Sequence, residues 1–311
     1  MRGFGAGVVL AALVTAAACG GGDSGGSSSH AGRVRNDRKP ATVGDVVVRT
    51  ETFVDPSRPT DPPVGTPGRT LVTTIRFPQT GGPYPLIVLA HGFDGHPRKF
   101  TELTEAWARA GYVVAAPTFP LTNDELGPGR TVVADYTNQP ADVSFVIDEM
   151  LELSEGKDDP LRGRLDGDRI GVAGLSVGGV TTFAVTYNTC CRDPRIDAAI
   201  TMAGARFPYD GEYELAGVPL LLFHGDADPS LPYAGSVEAY ADAAAPKFFV
   251  TVLGGGHSPP FEDDDDPADE MVTAVTIDFW NLFLAALPGA RQALLGDATV
   301  DGLSSLQYED V

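Results

Sequence analysis

The chain is short of cysteine, of positive charge and of long apolar runs, and each shortage excludes something. Three cysteines in 311 residues are too few for a disulfide scaffold. With 22 basic against 42 acidic residues the net charge is −20. That balance argues against nucleic acid, because phosphate binding needs a basic surface that displaces counterions. The early apolar stretch from Val8 to Val14 is far shorter than the roughly 20 residues of a spanning helix. No internal repeat is evident. What is present is ordinary globular composition, 43% hydrophobic and 21% charged, with 37 glycines and 25 prolines that point to many turns. The first forty or so residues suit a core poorly, and the remainder fits one large α/β domain better than two small ones.

The N-terminus, "MRGFGAGVVLAALVTAAACGGGDSGGSSS", places Arg2 before an apolar core and then small residues ending at Cys19. This is the architecture of an export signal. Ala16, Ala17, Ala18 and Cys19 resemble a bacterial lipobox, departing from it in having Ala16 where leucine is usual. The resemblance implies a signal peptide over 1–18 and lipidation of Cys19. A flexible Gly/Ser-rich tether over 19–44 would follow. The expected location is the outer face of the cell membrane, held by a lipid anchor rather than a spanning helix. The alternative is a plain cleaved signal with an incidental cysteine, which would give a secreted protein. The adjacent Cys190 and Cys191 could then bond to each other, pair with another chain, or stay reduced as small structural residues.

From residue 45 onward the pattern alternates. "VVVRTETF" (46–53) and "RTLVTTIRF" (69–77) read as two leading antiparallel strands around a proline-rich connection. "PLIVLA" (85–90) is a continuous apolar run, the mark of a strand covered on both faces. Further strands are expected at 112–117, 169–174, 197–204, 219–225 and 248–254. Helices are expected between them, around Leu103 and Trp107, around Val143 to Leu151, after Val177, from Tyr233 to Ala245 and from about Pro267 to Leu287. Such alternation predicts a mostly parallel central sheet with helices on both faces. Loops beyond the strand carboxyl ends are then where a site belongs.

"GLSVG", residues 174–178, matches G-x-S-x-G with Ser176 at its centre, between a strand and a helical run. A nucleophile on so sharp a turn leaves no room for side chains two residues away, which explains Gly174 and Gly178. A serine hydroxyl needs a base oriented by a carboxylate. Of five histidines, His30 lies in the tether and His96 in a loop. His91 and His224 each sit in a His-Gly pair directly after a strand, where shaping the backbone is the commoner task. His257, in "GGGHSPPF" just past the last expected strand, is the candidate base. "HGDADPSLP" offers Asp226 and Asp228 as the carboxylate. Serine, aspartate, histidine is the order of the α/β-hydrolase triad.

On these residues the chain resembles an α/β-hydrolase from about residue 45 to its C-terminal region. "HGFDGHP", "GLSVGG", "HGDADPSLP" and "VTYNTCCRDPRIDAAITMAG" are most similar to the dienelactone-hydrolase-like, chlorophyllase-like and platelet-activating-factor-acetylhydrolase-like branch. The resemblance implies Asp228 as the triad acid, with Asp226 as the alternative. It also implies an oxyanion hole made by the main-chain N–H groups of Phe93 and Val177. Dienelactone hydrolases proper use a cysteine nucleophile, and that chemistry does not transfer to a serine.

No cofactor or metal is expected. The acidic run "EDDDD" (262–266) reads as a helix start, with Asp266 as N-cap, Pro267 at the first helical position and acids in the first turn, rather than as a calcium site. It would also form an acidic rim near His257 that disfavours anionic substrates. Only residues 205–218 separate the strand at 197–204 from the next, so no large lid domain is expected. The sequence therefore predicts a serine hydrolase acting on small-molecule, lipid or polyester esters. A peptidase or amidase of the same fold and a tethered binding protein on an inactive scaffold are the alternatives.

Overall fold

The computed structural model describes residues 45–310. The signal over 1–18, Cys19, the tether over 19–44, His30 and Val311 lie outside the described residues. Within them the chain runs β1 (Val46–Asp55), β2 (Arg69–Pro78), β3 (Tyr84–Ala90), α1 (Thr101–Arg109), β4 (Val113–Thr118), α2 (Gln139–Glu155), β5 (Leu165–Leu175), α3 (Val177–Tyr187), β6 (Ile196–Met202), β7 (Leu220–Gly225), α4 (Tyr233–Asp242), β8 (Lys247–Val252), α5 (Asp269–Phe283), α6 (Ala290–Asp297) and β9 (Ser304–Glu309). One sheet holds all nine strands in the order β1-β2-β4-β3-β5-β6-β7-β8-β9. The strands from β4 across to β8 are parallel to their neighbours, and β1, β2 and β9 add antiparallel edges. This is the α/β-hydrolase fold.

The alternation of a strand explains the layers. Along β3, Ile87 and Leu89 pack into a core with Trp107 of α1, Phe279 of α5 and Leu294 of α6. Leu86, Val88 and Ala90 face the other way, onto Val146 and Ile147 of α2. A smaller core joins Phe183 of α3 and Ala239 of α4 to Leu220 and Leu222 of β7. Burial on both faces is why the central strands read as unbroken apolar runs.

At the C-terminus the structure departs from the sequence expectation. The last helix ends at Phe283 rather than near Leu287, and α6 and β9 follow it. In β9 only the first of six residues is buried, so it carries no apolar pattern to read; it pairs antiparallel with β8 and stacks Tyr308 on Phe248. The acidic run also differs in detail. Ala268, not Asp266, is the N-cap of α5, and Pro267 lies before the helix, because Asp266 Oδ1 accepts from Ala268 N–H one turn early (2.9 Å). Asp263 instead caps α1 from a distance, accepting from Thr101 N–H (2.7 Å) and Glu102 N–H (3.3 Å). Orphan amides at a helix start favour such an acceptor.

Asp278 of α5 faces Asp297 of α6; burial first, then the Asp297 charge, pushes it up to about 7 from 3.8. Between those two values the folded chain holds more protons than the unfolded one, so its stability falls as pH rises. Asp278 is half-buried, and solvent screening limits the pair to about 1 kcal/mol. Urea unfolding at pH 5 and pH 8 is expected to show that loss, and Asp278→Asn is expected to remove it. An unchanged pH slope in the variant would contradict Asp278 as its source.

Candidate active site

Ser176 follows the last residue of β5 and precedes the first of α3, with φ 56° and ψ −118°. The left-handed φ is a strained backbone for a non-glycine residue. Contacts on all sides hold it. Ser176 N–H donates to Met202 O of β6 (2.9 Å), and its own carbonyl accepts from Val180 N–H (2.9 Å). A Cβ on Gly174 would stand 2.2 Å from Gly178 O, and one on Gly178 would stand 2.0 Å from Ala90 O. The two glycines are therefore close-packing requirements that let the helix start directly behind the strand.

The turn after β7 and the loop after β8 bring the other two side chains to this elbow. They are joined by main-chain hydrogen bonds, Asp226 N–H to Val252 O and Ala227 N–H to Gly255 O (both 3.1 Å). The joint is tight, since a Cβ on Gly225 would stand 2.2 Å from Gly255 O. Asp228 and His257 meet as a result. His257 Nδ1 is 2.6 Å from Asp228 Oδ2, and His257 Nε2 is 2.8 Å from Ser176 Oγ. With a carboxylate at Nδ1, that nitrogen carries the proton, and the Nε2 lone pair faces the serine hydroxyl.

The Asp228 side chain has no solvent exposure. Burial works against its charge, but hydrogen bonds from His257 and from the N–H groups of Leu231 and Ser230 outweigh it and hold the carboxyl below its usual range. Asp226 does something else. Its Oδ1 accepts from Gly254 N–H (2.6 Å), a turn-closing role at the surface.

The loop after β3 lies against the serine. A Cβ on Gly92 would be 3.2 Å from Ser176 Cβ, and Gly95 N–H donates to Gly92 O (3.1 Å). His91 fixes this loop from below. Its buried Nε2 accepts from Phe119 N–H (3.0 Å), so Nδ1 bears the hydrogen and donates to Gly92 O (2.7 Å). Burial pushes its pKa down to about 4, which keeps the ring neutral. Among the described residues the N–H groups of Phe93 and Val177 have no acceptor. Phe93 is 38% exposed. Two unengaged amides, one on each side of Ser176, suit a developing negative charge.

His96 is elsewhere, capping a short helical turn through Arg98 N–H and facing Glu125. His224 does more than the commoner task of shaping the backbone, since its Nε2 lies 3.0 Å from Asp228 Oδ2. The sequence clue was its place four residues before the aspartate, on a strand that ends at the site. Residues 205–218 form no helix. They carry Phe207 and Tyr209, which pack edge-to-face on Tyr136, and Tyr209 O–H donates to the Tyr136 carbonyl (3.0 Å). This aromatic strap has no periodicity and was invisible as a unit. Cys190 and Cys191 are bonded to each other, in the turn whose Thr189 N–H donates to Glu212 O of the strap (2.9 Å).

A model of one family, described as chlorophyllase, matches residues 48–204, half of the chain. The chain belongs to the chlorophyllase family. The match spans the loop of Phe93 and the elbow of Ser176, and it ends before Asp228 and His257. No curated protein matches the chain. Among solved structures, a ferulic acid esterase from Streptomyces cinnamoneus is similar in fold, with 24% identity over 81% of this chain and 94% of that one and a TM-score of 0.62. This chlorophyllase-family chain places its helices on both faces of a mostly parallel sheet.

Proposed function

We propose that the protein is a serine esterase whose nucleophile is Ser176, whose base is His257 and whose orienting carboxylate is Asp228. The observation that carries this is the unbroken line from Asp228 Oδ2 through the His257 ring to Ser176 Oγ, with bonds of 2.6 and 2.8 Å. Membership of the chlorophyllase family supports the coarser class, an esterase-type hydrolase.

The chemistry follows from that line. Ser176 Oγ bonds to the ester carbonyl carbon while its proton passes to His257 Nε2. The carbonyl oxygen takes the electron pair and is held by Phe93 N–H and Val177 N–H. As the carbonyl re-forms, the bond to the alkoxide breaks and that group takes the proton from His257. Water then gives its proton to His257, attacks the acyl-enzyme, and releases the acid as Ser176 regains its hydrogen. Asp228 stays an anion throughout and stabilises the imidazolium.

A panel of nitrophenyl esters graded by acyl length, with methyl ferulate added because of the structural neighbour's named activity, tests the class against peptide nitroanilides. Turnover of esters with anilides left intact is expected. Anilide cleavage without ester cleavage would make the protein an amidase instead.

A further inference from the structure

The active-site carboxylate has a partner beyond those the mechanism uses. His224, at the end of β7, is completely buried. Its Nε2 faces two acceptors, Asp228 Oδ2 at 3.0 Å and Leu231 O at 3.2 Å. Its Nδ1 lies 2.7 Å from Ser236 Oγ of α4, and the Tyr233 ring packs edge-to-face on it. Two acceptors at one nitrogen decide the tautomer. A lone pair on Nε2 would oppose a carboxylate oxygen and a carbonyl oxygen together, whereas a hydrogen there satisfies both. Ser236, which can donate as well as accept, then turns its hydroxyl hydrogen to Nδ1.

We propose that His224 is a positioning residue: a neutral imidazole that donates Nε2–H to Asp228 Oδ2, sharing that oxygen with His257. The proposal rests on the esterase reading for its consequence, not for its geometry. Asp228 Oδ1 already accepts from Ser230 N–H (2.7 Å) and Leu231 N–H (3.0 Å). His224 therefore supplies the fourth donor to a carboxylate that water does not reach. That donor has two effects. It fixes the plane of Oδ2 against the His257 ring, and it withdraws charge from the oxygen that would otherwise stabilise the imidazolium more strongly. Burial lowers the pKa of His224 against the pull of the Leu231 carbonyl and Asp228, which agrees with a neutral ring.

Among the described residues, Thr251 of β8 pairs beside His224 and is hydrogen-bonded to Tyr233 (2.5 Å). From the loop after β8 come His257 itself and Glu262, the latter 3.6 Å from Lys99 Nζ. From the elbow comes Ser176. None of these donates to Asp228 in place of His224, so its loss leaves Oδ2 with His257 as sole partner.

The test is an NMR titration of the His257 ring in the native protein, His224→Leu and His224→Gln, with thermal melts as a folding control. His224→Leu is expected to move the midpoint of that titration upward relative to the native protein, because a carboxylate that loses one donor holds the imidazolium more strongly. His224→Gln, which keeps a donor, is expected to restore it. The acidic limb of kcat/KM should move with the titration, a change that a purely packing role would not produce. Should His224→Leu fail to fold, the ring nitrogens of His224 in the native protein decide the matter. A hydrogen on Nε2 and none on Nδ1 at neutral pH supports the proposal, and the opposite tautomer or an imidazolium overturns it. A His257 midpoint unmoved in folded His224→Leu, or moved equally by His224→Gln, also overturns it. If the native protein turns over no ester while His257 titrates as described, the esterase reading fails and the role of His224 stands.

Discussion

Replacing Ser176 with alanine is expected to lower kcat for ester hydrolysis by about 10⁵-fold with little change in KM. The substitution removes only Oγ. Its partner is His257 Nε2 at 2.8 Å, and the main-chain bonds of residue 176 to Met202 and Val180 do not involve the side chain. Alanine suffers the same left-handed strain as serine at φ 56°, so the elbow survives. The oxyanion donors and the binding surface also survive, which is why residual catalysis above water is expected rather than none. A melt within a few degrees of native and a fall in kcat alone are the joint signature. A loss of less than about tenfold would point to a different nucleophile.

Changing Asp228 to asparagine is expected to cost about 10⁴-fold in kcat, whereas the same change at Asp226 is expected to stay within about threefold. At position 228 every carboxylate oxygen faces donors: two main-chain N–H groups at Oδ1 and two histidine rings at Oδ2. Whichever way an amide sits, its NH₂ opposes one of those pairs. If it faces His257, that ring is driven to carry its hydrogen on Nε2, where it cannot take the proton of Ser176. Asp226 makes one acceptor bond to Gly254 N–H, which an amide oxygen reproduces. Steady-state kinetics of the two variants side by side separates the roles, and equal losses would remove Asp228 from its place as the orienting acid.

Much of this was legible in the sequence because the relevant signals are short-range. Strands buried on both faces announce themselves as apolar runs, and the elbow announces itself by glycines whose absent side chains would collide within 2.2 Å. Chain order pointed to Ser176, an aspartate at 226 or 228, and His257, and the family resemblance favoured Asp228, but only the joint between the turn after β7 and the loop after β8 brings Asp228 and His257 together. What stayed hidden depends on distance or on exposure. β9 is polar and mostly exposed. Asp263 caps a helix more than 160 residues away in sequence. His224 looks like any strand-end histidine until its ring is seen against Asp228. The bond between Cys190 and Cys191 was one of three readings that adjacency left open.

The central claim is that Ser176 is a nucleophile activated by His257, and covalent capture by a fluorophosphonate, read by intact mass and peptide mapping, tests it most directly. The account predicts a single adduct on Ser176 in the native protein and none in folded Ser176→Ala. A folded native protein that takes no label, or one that takes it at another residue, would contradict the account.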